Sequence, residues 1–165
     1  MEKSLLVTTS TKLAADVEKE LWRQAAHLSR SDMVYKVLRN GTLIVTVKNR
    51  DEGIDLINRF APEHLELLVK NPRDVVKKIS AAGAIFIGPW TPESAGDFAA
   101  GPSHVLPTGG AAAMFSGLSV DDFRRRSSLI EFTRKDLAEV LPVIEAFGRV
   151  EGLDAHVRSA QVRFE

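Results

Sequence analysis

Apolar side chains recur along this chain at two alternating spacings, one typical of strands and one typical of helices. Short, nearly continuous apolar runs rich in β-branched residues predict strands at residues 4–8, 42–47, 65–69 and 83–87. Between the first two runs an apolar residue recurs every four positions from Leu13 to Ala25, which predicts an amphipathic helix capped by Ser10. Strands that alternate with helices predict an α/β fold, here an incomplete, Rossmann-like parallel sheet flanked by helices. We expect the 42–47 strand to be buried on both faces.

A segment rich in glycine and proline interrupts this pattern at residues 88–117. It holds six of the 11 glycines and four of the seven prolines, so we expect an irregular, functional loop. Helical spacing then returns, with a capping box predicted at Thr133, a stop at Gly152 and a kink or split at Pro142. The sequence thus predicts an α/β domain over residues 1–132, which includes the 88–117 segment, and a helical C-terminal tail over 133–165.

Composition and charge exclude several classes of protein. Lysine plus arginine number 22 and so do aspartate plus glutamate, so the formal net charge is zero. This balance argues against a nucleic-acid or membrane-surface partner bound through bulk charge. The chain has no cysteine, which excludes disulfides, iron–sulfur clusters and a cysteine nucleophile. No apolar run approaches the roughly 18 residues of a membrane helix, and we see no secretory signal, so we expect a cytoplasmic protein.

Glu63 and His64 form the first candidate functional pair. They follow a predicted helix and precede an extended segment, and α/β folds place active groups at such element ends. An imidazole beside a carboxylate is a workable base and proton-transfer pair near neutral pH. The alternative is a surface histidine at a turn, and these two residues alone leave both interpretations open.

Five further candidate residues lie in the second half of the chain. Glu93 and Asp97 are four residues apart, so one helical turn would place both carboxylates on the same face. Like charges repel there unless a cation lies between them, and the alternative is a solvated helix face. His104 lies in a rigid, proline-flanked turn, where a histidine is often merely structural. Glu151 and His156, near the C-terminus, carry no functional signal of their own.

Five stretches share one order with the signature of a known family. They are residues 61–67 (APEHLEL), 82–88 (AGAIFIG), 92–109 (PESAGDFAAGPSHVLPTG), 116–123 (SGLSVDDF) and 151–156 (EGLDAH). In this the chain resembles the C-terminal portion of histidinol dehydrogenase, and the similarity covers nearly its whole length. The resemblance implies the oxidation of L-histidinol to L-histidine, a step of histidine biosynthesis, with two NAD and a zinc ion.

The resemblance also implies a role for each candidate residue. It makes His64 the base that takes protons and Glu63 the group that activates water for the second oxidation. Asp97 and His156 resemble zinc ligands, and the family delivers the latter from the neighbouring subunit of a dimer. The residues that resemble substrate-binding positions form a larger set, which consists of His64, Glu93, Asp97, His104, Glu151 and His156.

The sequence departs from the family in its length. The family's chain is more than twice as long, and the additional N-terminal part holds its NAD-binding domain and two further zinc ligands. No glycine-rich turn follows the first predicted strand, so the dinucleotide fingerprint is absent as well. We therefore expect no NAD site, weak or absent zinc binding, and no activity unless an N-terminal partner chain supplies the rest.

A non-enzymatic module of the same fold is the alternative. Such a module would bind an imidazole ligand or serve in assembly, and the sequence leaves this possibility open. In either case we expect a homodimer formed through the C-terminal tail, with Ile144 and Phe147 buried in its packing, because one small sheet has little room to cover the tail's apolar stripe.

Overall fold

The computed structural model describes residues 2–165, which contain four strands and seven α-helices and so confirm an α/β class. The strands are β1 (Ser4–Thr8), β2 (Thr42–Thr46), β3 (His64–Leu67) and β4 (Ala84–Ile87). The helices are α1 (Thr11–Ala25), α2 (Ser31–Asn40), α3 (Arg50–Phe60), α4 (Pro72–Val76), α5 (Glu93–Phe98), α6 (Arg134–Glu151) and α7 (Asp154–Gln161). Over this range no helix has both the length and the apolar character needed to cross a bilayer.

The chain divides into two compact units, Met1–Phe123 and Arg124–Glu165. This division precedes the boundary between residues 132 and 133 that the sequence predicted. Residues 124–132 belong to the second unit although they form no helix or strand. Compactness within one chain does not test independent folding, so the two-domain organisation stays a prediction.

The four strands form two separate parallel pairs among the described residues, where the sequence predicted one small sheet. In β1 and β2, Ser4 lies opposite Thr42, and in β3 and β4, His64 lies opposite Ala84. The expectation that the 42–47 strand is buried on both faces is wrong for this chain, because Leu43 of β2 is 57% exposed. Parallel strands are normally covered on both sides, and no described part of the chain covers the side of β2 that carries Leu43.

The core of the first unit joins α3, β3, α4 and β4. Its buried side chains are Ile54, Leu65, Leu67 and Val75, with Ile57, Val76, Ile79, Ala82 and Ile85 packed against them. Leu65 and Leu67 are alternate residues of β3, so their side chains leave the same face of the strand. The remaining β3 side chains, His64 and Glu66, therefore lie on the opposite face.

The glycine- and proline-rich segment is more ordered than the sequence predicted. The expectation of an irregular 88–117 segment is wrong at α5 and at a short 3₁₀ turn, Ala111–Ala113. Helix α5 forms because Pro92 precedes its first residue, where no backbone N–H is required, and because residues 93–98 contain no proline. The 3₁₀ turn is anchored by Ala112, which is buried against Ala61 and Ala81.

The second unit is built on the pair α6 and α7. The predicted capping box is confirmed, since the Thr133 side chain accepts the Asp136 N–H and the Asp136 carboxylate accepts the Thr133 N–H. The predicted stop is also confirmed, because Gly152 ends α6 in the left-handed conformation. The sequence predicted a kink or a split at Pro142, and the split is wrong: α6 continues through it, since a proline removes only one backbone hydrogen bond.

Close packing of α6 on α7 depends on Gly148, where a Cβ would overlap Cγ2 of Val157. We expect Gly148→Ala to lower the free energy of unfolding by about 1–3 kcal/mol through overpacking, although alanine is the better helix former. Urea unfolding followed by circular dichroism measures the loss. In a Val157→Ala background the clashing methyl is gone, so the same substitution should cost much less, and an equal cost in both backgrounds would contradict this packing.

Candidate functional site

A left-handed residue places the candidate pair Glu63 and His64 at the start of β3. Helix α3 ends at Ala61, which has φ 49° and ψ 64°, and this residue is buried with only 1% of its surface exposed. A non-glycine residue in this conformation costs about 1–2 kcal/mol, so packing must hold it there. The turn directs the chain into β3, and the Glu63 carbonyl accepts a hydrogen bond from the N–H of Ala84 at 2.8 Å.

The face of β3 turned away from the core carries the polar side chains. His64 and Glu66 share it with Phe86 of β4, because Glu66 lies opposite Phe86 in the register. The His64 and Phe86 rings are 5.9 Å apart between centroids, with their planes tilted by 38°. This places an imidazole against an aromatic wall on one side.

Helix α5 lies over this face and carries two carboxylates. The N–H of Glu93 donates a hydrogen bond to Oε1 of Glu66 at 3.0 Å. A Cβ built on Gly96 would lie 2.5 Å from Cε1 of Phe86, so only glycine allows α5 to approach the strand this closely. Glu93 and Asp97 are one helical turn apart, and their shared face is turned toward His64.

His64, Glu93 and Asp97 converge on one point. Nε2 of His64 is 3.8 Å from Oε1 of Glu93 and 3.7 Å from Oδ1 of Asp97, which is longer than a hydrogen bond. This nitrogen is buried and has no hydrogen-bond partner among the described residues. The three candidate ligand atoms lie within 4.8 Å of one another. One nitrogen and two carboxylate oxygens at such spacing suit a divalent cation that accepts mixed N and O ligands.

The electrostatics of the cluster favour a positive charge. A side-chain hydrogen bond with Asp97 raises the pKa of Glu93, and burial and the negative charges of Asp97 and Glu66 act in the same direction. The charge of His64 opposes the rise. Glu93 therefore retains a proton more readily than an isolated glutamate, and a bound cation would relieve the same repulsion.

The remaining predicted site residues lie outside this cluster. Glu63 is half-buried, and a Cβ on Gly83 would lie 2.6 Å from its carbonyl oxygen, so glycine is required beside it. His104 is exposed in the segment that follows α5. Glu151 ends α6, His156 lies on α7, and both are exposed in the second unit.

Sequence reasoning missed two residues that build the cluster, Glu66 and Gly96. Glu66 stands two positions after His64, so strand alternation alone would have placed it on the same face. Gly96 stands inside a predicted helical turn, where a glycine indicates a close approach by a neighbouring group. Neither signal identifies its partner, since Glu66 bonds to a residue 27 positions away.

Comparison with known proteins identifies relatives over almost the whole chain. The family model described as histidinol dehydrogenase matches residues 1–164. The histidinol dehydrogenase of Heliobacterium mobile is 43% identical over 162 residues, covering 98% of this chain and 38% of the relative. That of Geobacter metallireducens is 46% identical over 165 residues, covering 100% of this chain and again 38% of the relative.

A solved structure shares the fold. The crystal structure of histidinol dehydrogenase from Elizabethkingia anophelis matches with a TM-score of 0.82 and 29% sequence identity, over 98% of this chain and 44% of that chain. The chain therefore spans about 38% of the length of the curated relatives it matches.

The repulsion between the α5 carboxylates predicts a pH-dependent effect of Glu93→Gln. A raised pKa means that folding favours protonated Glu93, so its ionised form costs stability at neutral pH and not below its ordinary pKa of 4.5. We expect Glu93→Gln to stabilise the fold at pH 7 by about 0.2–0.5 kcal/mol, the cost of a partly screened like-charge pair. The gain should disappear as the pH falls toward 4.

Urea unfolding of wild type and variant at pH 4 and pH 7 measures this difference. Glu20→Gln is the matched control, because a hydrogen bond from Arg23 lowers the pKa of Glu20 to about 2. Loss of an ionised, paired carboxylate should destabilise the protein at pH 7, so the two variants should shift in opposite directions. A Glu93→Gln protein that is less stable at pH 7 than at pH 4, relative to wild type, would contradict the repulsion.

Proposed function

We propose, on the premise that this chain belongs to the histidinol dehydrogenase family, that it supplies the proton-transfer and metal-binding part of a site that oxidises L-histidinol to L-histidine. One observation carries the proposal. His64 presents a buried, unbonded Nε2 to two carboxylates, Glu93 and Asp97, at 3.8 and 3.7 Å. The place of this reaction in histidine biosynthesis follows from the family.

The residues of the cluster fit a zinc ion. Zinc accepts carboxylate oxygens as ligands, and those of Glu93 and Asp97 lie within 4.8 Å of Nε2 of His64, a nitrogen without a partner that stays free to act as the base. Asp97 would hold the ion in this chain, and His156 of a second copy would be a further ligand. Zinc would supply Lewis-acid polarisation of the substrate oxygen. With so few ligands from one copy, we expect weak zinc binding by the chain alone.

His64 is proposed as the base. A proton that arrives at Nε2 creates an imidazolium beside two carboxylates, which stabilise it by charge. Phe86 limits the movement of the ring from one side. Glu93 and the exposed His104 would contact the substrate, as would Glu151 of a second copy. A carboxylate suits the ammonium group of an amino alcohol. The role of Glu63 in activating water rests on the family resemblance.

NAD does not fit the described residues. Residues 9 and 10, which connect β1 to α1, include no glycine, so a dinucleotide phosphate has no backbone cradle there. We propose that the hydride acceptor binds in the part of the relatives that this chain does not match. We also propose that β1–β2 and β3–β4 are pieces of a Rossmann-like sheet completed by that part. The parallel pairing and the exposed Leu43 support this.

Zinc titration and turnover together test the proposed function. Calorimetry with zinc chloride should detect weak binding that Asp97→Asn reduces more strongly than His64→Asn, since Asp97 is proposed as a ligand and His64 as the base. NADH formation from L-histidinol and NAD should require zinc and co-expression with the N-terminal part of the Geobacter metallireducens relative. In that mixture, His64→Asn should lower the rate by about 10²–10⁴-fold, the usual contribution of a general base.

Other outcomes would assign different roles to His64 and to the chain. If His64→Asn removes zinc binding as completely as Asp97→Asn does, His64 is a ligand and not the base. If the mixture binds L-histidinol but forms no NADH, the non-enzymatic imidazole-binding alternative is supported instead. Lys12→Gln, a change at an exposed ion pair on α1, is the control that should leave both measurements unchanged.

We further propose that two copies associate through α6. Val143, Phe147 and Val150 are 55%, 63% and 86% exposed, and their spacing places them on one face of the helix. Phe147 is thus not buried within its own chain, and Ile144 is half-buried. An apolar stripe on one helix, repeated on a second copy, forms the self-complementary surface of a twofold dimer.

Phe147→Ser tests this association. Burial of a phenylalanine contributes about 1.5–3 kcal/mol, so we expect the dimer dissociation constant to rise by about tenfold or more. Sedimentation equilibrium at micromolar concentration measures it. Phe123→Ser, which changes a comparably exposed aromatic residue in the first unit, should leave the constant unchanged. A wild-type protein that remains monomeric would contradict the proposal.

A further inference from the structure

We infer that Glu66 is a positioning residue, which holds α5 over His64 by accepting a hydrogen bond from the first residue of that helix. The inference rests on the proposed function, because it concerns the cluster of His64, Glu93 and Asp97. The sequence signature of the site does not single out Glu66, and it acts through the backbone rather than on substrate or metal.

Helix α5 needs support from outside itself. It has six residues, and Pro92 at its N-cap offers no side-chain hydrogen bond. So short a helix does not persist alone, and the N–H groups of its first turn have no partner within the helix. The Glu66 carboxylate meets this need at the N–H of Glu93, with a distance of 3.0 Å between Oε1 and N.

The bond connects the two elements that make up the cluster. Glu66 and His64 leave the same face of β3, two residues apart, so the strand fixes the distance between them. The bond from Glu66 then fixes Glu93 relative to that strand. The position of one carboxylate over Nε2 of His64 thereby depends on a single strand rather than on the intervening loop.

A second contact fixes the other end of α5. Gly96 lies against the Phe86 ring, and Phe86 is the residue opposite Glu66 in the paired strands. Asp97 directly follows Gly96 in the chain. The helix is thus held at its first residue by a hydrogen bond and near its last by close packing, which sets the 3.7 Å separation between Asp97 and His64.

The charge of Glu66 adds an electrostatic cost to the cluster. A third carboxylate beside Glu93 and Asp97 adds repulsion, which a neutral side chain would avoid. A hydrogen bond to an ionised acceptor is about twice as strong as one between neutral groups. Because glutamine keeps an acceptor oxygen at the same reach, it should preserve the position of α5 while removing the charge.

The experiment compares Glu66→Leu, Glu66→Gln and the matched control Glu52→Leu in the full chain. Glu52 is also an exposed carboxylate that accepts a backbone N–H, that of Lys48 at 2.8 Å, but it lies on α3. Three quantities are measured, of which the first two are zinc affinity by calorimetry with the metal alone and the hydrogen-exchange rate of the Glu93 amide by NMR. Nuclear Overhauser contacts between the His64 ring and Asp97 report the position of α5 directly.

We expect Glu66→Leu to weaken zinc binding by about tenfold, which is the usual effect of losing a group that orients metal ligands. The same variant should accelerate exchange of the Glu93 amide and remove the His64–Asp97 contact. Glu66→Gln should keep most of the zinc affinity, of the slow Glu93 exchange and of the His64–Asp97 contact. Glu52→Leu should match Glu66→Leu in stability loss while keeping all three. Equal effects of the two leucine variants on zinc would mean a general stability effect and would overturn the inference.

Failure of the proposed function would give a different set of results from failure of the positioning role. If the wild type binds no zinc, that proposal fails, while the exchange and Overhauser measurements still decide the role of Glu66. If zinc binds through Asp97 but Glu66→Leu changes neither the affinity nor the His64–Asp97 contact, the positioning role is wrong and the site stands without it.

Discussion

The alternation of side chains along β3 is the constraint on which the rest of the site depends. Leu65 and Leu67 are 7% and 4% exposed and join the core formed with α3 and α4. A shift of one residue in register would exchange the two faces and put an imidazole and a carboxylate into that core, at a cost of several kcal/mol. Core burial therefore fixes where His64 and Glu66 point, before any ligand is present.

Both sides of the strand contribute to the precision of the cluster, in different ways. The core side is apolar and holds β3 in place by packing. The other side makes few contacts, so individual interactions position α5. They are a carboxylate–amide hydrogen bond at one end of the helix and a glycine packed against an aromatic ring at the other. The left-handed Ala61, held by burial against Ala81 and Ala112, delivers the chain into β3 at the required point.

Local features of the fold could be predicted from the sequence, and features that join distant segments could not. The Ser10 cap and the Thr133 capping box are decided within three residues, and both are as predicted. The separation into two strand pairs and the helix inside the glycine- and proline-rich segment depend on contacts across the chain. The continuity of α6 through Pro142 likewise depends on how the cost of a proline inside a helix compares with the tertiary packing of that helix, and no local rule predicts the outcome.

The same division applies to the candidate site. Residue type and spacing selected His64, Glu93 and Asp97, and the structure brings these three together. What assembles them, Glu66 and Gly96, became visible only with the fold. Nothing in the spacing assigns Glu151 and His156, which lie in the second unit, so their roles derive from the family resemblance alone.

The cluster of His64, Glu93 and Asp97 lowers the stability of the fold locally. A buried nitrogen without a partner and two adjacent carboxylates each cost free energy in the unliganded chain. One positive charge relieves both costs, and it can be a shared proton, a protonated imidazole, a metal ion or the ammonium group of a substrate. These occupants compete for the same space of less than 5 Å, a span set by the atoms within 4.8 Å of one another. Under the proposed function, proton transfer and cation binding are thus coupled, because the arrival of one charge lowers the affinity for the next.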